Sequence, residues 1–236
     1  MLNLFDLSRI KGFQFPRSAI GYAVWAYHRF ALSLRDLEDW LASRGIRVSY
    51  ETVRDWVARF GGQFAARIRR ERPCPADKWH LDEVVISIKG KKNWLWRAVD
   101  AKGDVLDILV QSRRNTSAAK RFFRKLFRRW DKPRVLVTDK LGSYAAAKAE
   151  IAPGIEHRQH KVLNNRAEAS HRHTRRREKI MGRFKSSGQV QRFVSAHDQI
   201  ATLFPAQCHR LSAQSYRHAR SDALSLWADY AADLAA

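Results

Sequence analysis

Residues 79–110 read WHLDEVVISIKGKKNWLWRAVDAKGDVLDILV, three apolar runs divided by two turn signals. Val84-Val85-Ile86-Ser87-Ile88 is β-branched and stops at Lys89-Gly90-Lys91-Lys92-Asn93, a turn composition. Trp94 to Val99 is a second strand, Asp100-Ala101-Lys102-Gly103 a second turn, and Val105 to Val110 a third strand. The spacing predicts an antiparallel meander, since connections this short join antiparallel neighbours.

Downstream the period changes. A helix is predicted from about Asn115 to Trp130, with Phe122, Phe123, Leu126 and Phe127 on one side and Lys120, Arg121, Arg124, Lys125 and Arg128 outward. A fourth strand, Arg134 to Thr138, follows Pro133, and a short Ala-rich helix follows Gly142. Three antiparallel strands, a helix and a strand returning in parallel is the element order of a ribonuclease-H-like α/β core, a mixed sheet flanked by helices.

Three acids stand at telling places in this order. Asp82 lies in the first strand, Asp139 ends the fourth, and Glu168 lies near the start of a later basic helix beginning Asn164-Asn165-Arg166-Ala167. Neighbouring central strands would bring Asp82 and Asp139 together, and Glu168 would close the site from the side. Carboxylates alone are hard oxygen ligands that suit Mg²⁺ or Mn²⁺ with water and substrate phosphate. Two such ions, roughly 4 Å apart, activate an attacking oxygen and stabilise a leaving one at phosphorus. Taken singly, each acid also has a plain reading: Asp82 as a strand-edge charge, Asp139 as a turn or cap, and Glu168 as a partner of Arg172.

Charge names the partner class. Forty-five Lys and Arg stand against 23 Asp and Glu in 236 residues, a formal net charge of +22, with a pI near 10.8. That balance calls for an anionic polymer, nucleic acid before a membrane surface. No apolar run reaches the roughly 18 residues of a membrane span. Met1-Leu2-Asn3-Leu4-Phe5 lacks the order of a secretory signal. Cys74 and Cys208 are too few and too far apart for a disulfide framework or a Cys-rich zinc site. The expectation is a reduced, cytoplasmic protein with no membrane partner. Hydrophobic residues at 45% allow a buried core.

The first 70 residues read as a helical unit. Pro16 opens a helix carrying Ile20, Val24 and Tyr27 on one face. Ser33 caps a second helix with Leu34, Leu37 and Leu41 inward, closed by Gly45. Ser49 caps a third, with Val53, Trp56, Val57 and Phe60 inward before Gly61-Gly62. The last two helices make a helix-turn-helix, whose second helix would present Tyr50, Glu51, Arg54 and Arg47 to a major groove. A plain three-helix bundle remains the alternative. Phe64 to Pro75, rich in Arg, reads as a linker or an arm along phosphates. The expected division is a DNA-binding unit at 1–70, a catalytic domain at 71–190 and a helical C-terminal segment at 191–236, where Leu224, Leu226, Trp227 and Tyr230 would serve assembly or pack on the chain itself.

Glu168 sits in the densest positive charge of the chain. Arg166, Arg172, Arg175, Arg176, Arg177, Lys179, Arg183 and Lys185 surround it, with only Glu178 as a second acid. On a helix, Glu168, His171, Arg172 and Arg175 share a face, so one acid would meet metal while the next turns hold phosphates. Such binding weakens steeply with salt. His157, His160, His171 and His173 leave a zinc site open as an alternative, without the Cys that structural zinc usually recruits.

Four stretches carry a family resemblance: KWHLDEVVISIKGKKNWLWRAVD at 78–100, LVQSRRNTSAAKRFF at 109–123, VTDKLGSY at 137–144, and IEHRQHKVLNNRAEASHRHTRRREKIMGRFKS at 155–186. They resemble the DDE transposases of bacterial insertion sequences, in particular the insertion-sequence-six family. The resemblance implies three metal-binding catalytic acids at Asp82, Asp139 and Glu168, two Mg²⁺ ions with Mn²⁺ as a substitute, and a DNA-contacting base seven residues past the Glu, Arg175. Lys140, Arg172 and Arg176 flank those positions as further DNA-binding candidates beside Arg47, Tyr50 and Arg54. It implies water-driven nicking that frees 3′-hydroxyls, their attack on target DNA, recognition of terminal inverted repeats by the N-terminal helices, and a homodimer or higher assembly on double-stranded DNA. Only 28 residues separate Asp139 from Glu168, fewer than is usual in that superfamily, and the shortening falls between Tyr144 and Gly154. A nuclease without strand transfer, or a DNA-binding regulator without chemistry, would use only part of these features.

Overall fold

The computed structural model describes residues 8–160, 164–204 and 211–235. Met1–Phe5 and Cys208 lie outside them, as does the side chain of Arg166. The chain divides into two compact units, Pro73–Val194 and a second built from Met1–Arg72 with Ser195–Ala236. The sequence reading set its divisions after 70 and 190, and these units divide after Arg72 and Val194. The C-terminal segment, expected to stand as a third part from 191, joins the N-terminal helices instead. The physical reason is an apolar docking surface on helix α1 (Arg17–Arg29). Gly21 brings α1 so close to α8 (Ala213–Ala232) that a methyl at Gly21 would meet the Ala231 Cβ at 2.8 Å. Trp227 of α8 stacks on Phe64 at 3.9 Å and donates its indole N–H to the Gly21 carbonyl at 3.1 Å.

In the helical unit, α2 (Leu34–Ala42) starts at a reciprocal capping box. The Ser33 hydroxyl accepts from the Asp36 N–H, and the Asp36 carboxylate accepts from the Ser33 N–H. Ser49 caps α3 (Tyr50–Glu71). This helix does not end at Gly61-Gly62, and the stretch from Phe64 is not a linker. The apolar period runs on through Phe60, Phe64 and Ile68, all buried, to Glu71. Gly61 is a close-approach residue, where a Cβ would sit 3.3 Å from the His28 ring.

In the other unit, β1 (Lys78–Ile88), β2 (Lys91–Asp100) and β3 (Val105–Gln111) form the antiparallel meander. Its first turn is tighter than the composition implied. Lys89 and Gly90 alone make it, both at positive φ, as a two-residue hairpin turn demands. Asp100 shapes the second turn, its carboxylate accepting the N–H groups of Lys102 and Asp104. After α4 (Thr116–Phe127), β4 (Val135–Thr138) returns parallel to β1. Beyond α5 (Gly142–Ile151) a fifth strand, β5 (Glu156–Gln159), pairs with β4 in parallel. The sheet order β3-β2-β1-β4-β5 is that of a ribonuclease-H-like fold. β5 escaped the sequence reading because it is short, polar and mostly exposed.

Both faces of the sheet are covered. Trp79, Leu81, Trp96 and Leu106 pack with Phe122, Phe123 and Leu126 of α4 and Tyr144 of α5. On the opposite face, Ile86, Leu95, Val99 and Ile108 pack with Ala167 of α6 (Asn165–Ile180) and with Val190 and Val194 of α7 (Ser187–Leu203). The free edge of β3 is occupied by Gln191, whose amide accepts from Val110 N–H and donates to Ile108 C=O as a neighbouring strand would.

Candidate active site

The alternation of a strand sends Leu81 and Glu83 to the α4–α5 face and Asp82 to the α6 face. β4 lies parallel beside β1, with Trp79 opposite Leu136 and His80 opposite Val137. The same offset, carried two residues past the end of the ladder, sets Asp82 beside Asp139. Asp82 keeps 15% of its side-chain surface and Asp139 keeps 28%. Burial, and then the nearby charge of Asp139, push the Asp82 carboxyl up to about 6. Two carboxylates thus converge at the point where the central parallel pair splays apart. Asp139 also does the plain job: one of its oxygens accepts the Leu141 N–H at 3.0 Å, fixing the turn into α5.

Helix α6 lies over this point and is held by two buried polar groups. Asn164 donates its amide to the carbonyl of Leu81 at 2.8 Å, one residue before Asp82. Arg97, opposite Asp82 in the β1–β2 ladder and fully buried, donates to the Ser170 carbonyl and, at 2.7 Å, to the Thr174 hydroxyl. Between those anchors His171 turns inward. Its Nε2 lies 3.4 Å from an Asp82 oxygen, and burial holds its pKa well below the ordinary value, with Arg97 and Arg175 adding to the effect. Burial thus disfavours the charged ring, and neither nitrogen has a hydrogen-bond partner among the described residues.

Glu168 is exposed on α6, one turn before His171 and on the stripe of Arg172, Arg175 and Lys179. Arg175 pairs with Glu178 at 3.1 Å. Arg172, Arg176 and, past Asp139, Lys140 are exposed. Among the described residues no three His, Cys, Asp or Glu converge as a metal cluster. Of the three acids, the pair Asp82–Asp139 is brought together, and Glu168 stands at the rim on the adjoining helix. The four histidines are distributed otherwise. His157 on β5 meets the Thr138 hydroxyl at 2.9 Å, His171 meets Asp82, and His160 and His173 are exposed.

One neighbour of the pair escaped the sequence reading. Glu83 has a fully buried side chain, takes a hydrogen bond from the Tyr144 hydroxyl, and pairs with Arg114 at 2.5 Å. Burial is the main cause that pushes its carboxyl up to about 7. Arg114 reaches onward to Asp139 at 3.3 Å. The only sequence signal was an acid in a strand phase otherwise apolar.

The donor set suits a hard divalent cation. Asp82 and Asp139 would supply oxygen ligands whose mutual repulsion such an ion would relieve, and burial disfavours a competing charge on the imidazole beside them.

In the helical unit, Tyr50 opens α3 half-buried between two guanidinium groups, Arg35 at 4.6 Å and Arg54 at 5.4 Å from its ring centre. Arg54 pairs with Glu51 at 2.7 Å with both side chains more than half exposed. Arg47 is exposed just before the Ser49 cap.

A family model described as a DDE domain, that of the IS240-type transposases, matches residues 76–207. The transposase of insertion sequence element IS257 in transposon Tn4003 of Staphylococcus aureus is 35% identical over 165 residues, covering 68% of this chain and 74% of that protein. The transposase of the insertion sequence-like element IS431mec of the Staphylococcus aureus strain N315 is 34% identical over the same span. Among solved structures, the magnesium complex of the HTLV-2 integrase catalytic core, in its trimeric form, aligns with a TM-score of 0.41 and 14% identity over 60% of this chain and 92% of that one.

Proposed function

The chain belongs to the DDE transposases of bacterial insertion sequences, enzymes of polynucleotidyl transfer, and on that footing we propose that it binds the terminal inverted repeats of its element and carries out Mg²⁺-dependent cleavage and strand transfer through Asp82, Asp139 and Glu168. The observation that carries this reading is the Asp82–Asp139 pair. Two acids, one on β1 and one just past the end of the parallel β4, the first desolvated and pushed up to about 6, stand beneath a helix whose outer stripe is basic. Like charges set this close repel, and a divalent cation shared between them would relieve that repulsion.

Asp82, Asp139 and Glu168 would hold two Mg²⁺ ions, with Mn²⁺ as a substitute. When bound, these ions would supply Lewis-acid stabilisation of the oxygens that attack and leave at phosphorus. The chain's own part is positioning. Arg172, Arg175 and Arg176 on α6, with Lys140 after β4, hold the backbone phosphates of the element end. His171 and the Asn164 and Arg97 anchors keep α6 at its depth against β1. Arg47, Tyr50 and Arg54 read the repeat from the major groove, as the start of a recognition helix does. The partners proposed are double-stranded DNA, both terminal repeat and target, and further copies of this chain, since two ends must be handled together. The compartment proposed is the bacterial cytoplasm, at the nucleoid. Among the described residues no helix is long and apolar enough to cross a membrane.

The test joins a gel shift on the element's ends to a strand-transfer assay with Mg²⁺, comparing wild type with Asp139→Asn and Glu168→Gln. Retained end binding with strand transfer lost in both variants is the expected result. Normal transfer by either variant overturns the catalytic assignment.

A further inference from the structure

Arg114 lies at the boundary between a buried charge and the carboxylate pair. Its guanidinium is about one-third exposed, whereas the Glu83 side chain that holds it is fully buried. Nε donates to Glu83 at 2.6 Å, and the same group reaches Asp139 at 3.3 Å. Its flat face covers Trp94, with Cζ 4.9 Å from the ring centre. Glu83 is in turn fixed from its other oxygen by the Tyr144 hydroxyl. Three contacts of different kinds therefore hold one cation in a single pose, which is more than a surface ion pair requires. A buried carboxylate left without a partner is strongly destabilising, so Arg114 cannot simply drift away from Glu83. The planar fork is what lets one side chain serve two acids, a geometry that a lysine ammonium does not reproduce.

We propose that Arg114, anchored by the buried Glu83, is a positioning residue that holds the cation place beside Asp139 in the metal-free protein and yields that carboxylate oxygen when divalent metal arrives. The proposal rests on the reading of Asp82 and Asp139 as the metal site. In the metal-free chain the guanidinium offsets the repulsion between the two acids, and Leu141 N–H fixes the other Asp139 oxygen. The carboxylate is thereby kept in its binding orientation. The guanidinium also competes with the arriving ion, so it sets the metal concentration at which the site fills. Glu83 limits that competition by drawing the same guanidinium to its own side.

Calorimetric titration of the full-length, DNA-free protein with Mn²⁺ tests this without recourse to activity. Arg114→Ala is expected to bind Mn²⁺ on the order of fivefold more tightly than wild type, the size of one partly exposed charge-assisted contact, while the metal-free protein melts lower. Weaker Mn²⁺ binding by an Arg114→Ala protein that still melts cooperatively overturns the proposal. The double change Glu83→Gln with Arg114→Ala leaves no buried charge behind and is expected to show the same gain. Arg114→Lys separates geometry from charge. It keeps the positive charge but not the fork, and is expected to fall between wild type and Arg114→Ala. Mn²⁺ affinity equal to wild type in both Arg114→Lys and Arg114→Ala overturns the proposal. Asp139→Asn in the same titration guards the premise: unchanged Mn²⁺ binding there overturns the carboxylate site itself, whatever the Arg114 variants do.

Discussion

At the scale of single residues, Asp82 couples stability to pH in a direction set by its surroundings. Burial and Asp139 push its carboxyl up to about 6 from an ordinary 3.8. In the metal-free fold it holds a proton that the unfolded chain releases near 3.8. Stability from this group is therefore lost as pH rises from about 4 to about 6 and stays lost above. Glu83, pushed up to about 7 from 4.5, acts with the same sign over a window that reaches higher. Thermal melts from pH 4 to pH 8 in chelator should show a falling midpoint, flattened below pH 6 in Asp82→Asn. That variant should melt above wild type at pH 8 and carry out no strand transfer. Mg²⁺ should raise the wild-type midpoint at pH 8 and leave that of Asp82→Asn nearly unchanged. An Asp82→Asn protein less stable than wild type at pH 8 would mean that the two acids are not in repulsion.

At the scale of elements, α6 depends on its polar anchors more than on apolar burial. Along its inner stripe, Ala167 is followed by His171, Thr174 and Arg177, all buried and all polar. Asn164→Ala leaves the Leu81 carbonyl without its side-chain donor, at a cost of ~1–3 kcal/mol. It should reduce strand transfer more than end binding, because Arg172, Arg175 and Arg176 stay exposed while the helix loses its depth. Urea unfolding and the gel shift, run on the same preparation, check the two halves of that statement. Helix α3 offers a sharper pair. Gly61→Ala places a methyl 3.3 Å from the His28 ring and should destabilise. Gly62→Ala, one residue on, meets open space and should stabilise by ~0.5–1 kcal/mol through helix propensity. Equal effects at the two glycines would contradict the close approach.

For the whole molecule, the +22 charge governs its response to salt. The logarithm of end affinity should fall linearly with the logarithm of salt concentration. Arg175→Ala should make the slope shallower by roughly one, the mark of a lost phosphate contact. Its deficit should therefore be largest at low salt. Binding isotherms at four or five salt concentrations supply the slopes, and an unchanged slope would remove Arg175 from the phosphate contacts. The C-terminal helix α8 belongs with the N-terminal helices through Gly21, Phe64 and Trp227, so removing residues from 213 onward should expose that apolar surface and unfold the helical unit, as read by circular dichroism.

The local order was legible because it is written in short-range chemistry: β-branched runs against Lys-Gly turns, Ser33 and Ser49 as caps, and acids standing in otherwise apolar or basic runs. Those signals place Asp82 in a strand, Asp139 at the end of one and Glu168 on a helix, and a resemblance over 78–186 joins them. Tertiary structure alone decided what long-range packing controls. β5 is polar and exists because β4 offers it an edge. Gly61-Gly62 reads as a stop in sequence, and Gly61 becomes an interior approach only because His28 lies beneath it. The C-terminal helix joins the first helices because a missing side chain at Gly21 lets two backbones meet. Glu83, beside the acid that the sequence singled out, acquires its role only when the fold brings Arg114 and Tyr144 to it, since periodicity records which face a residue takes and not which charge waits there.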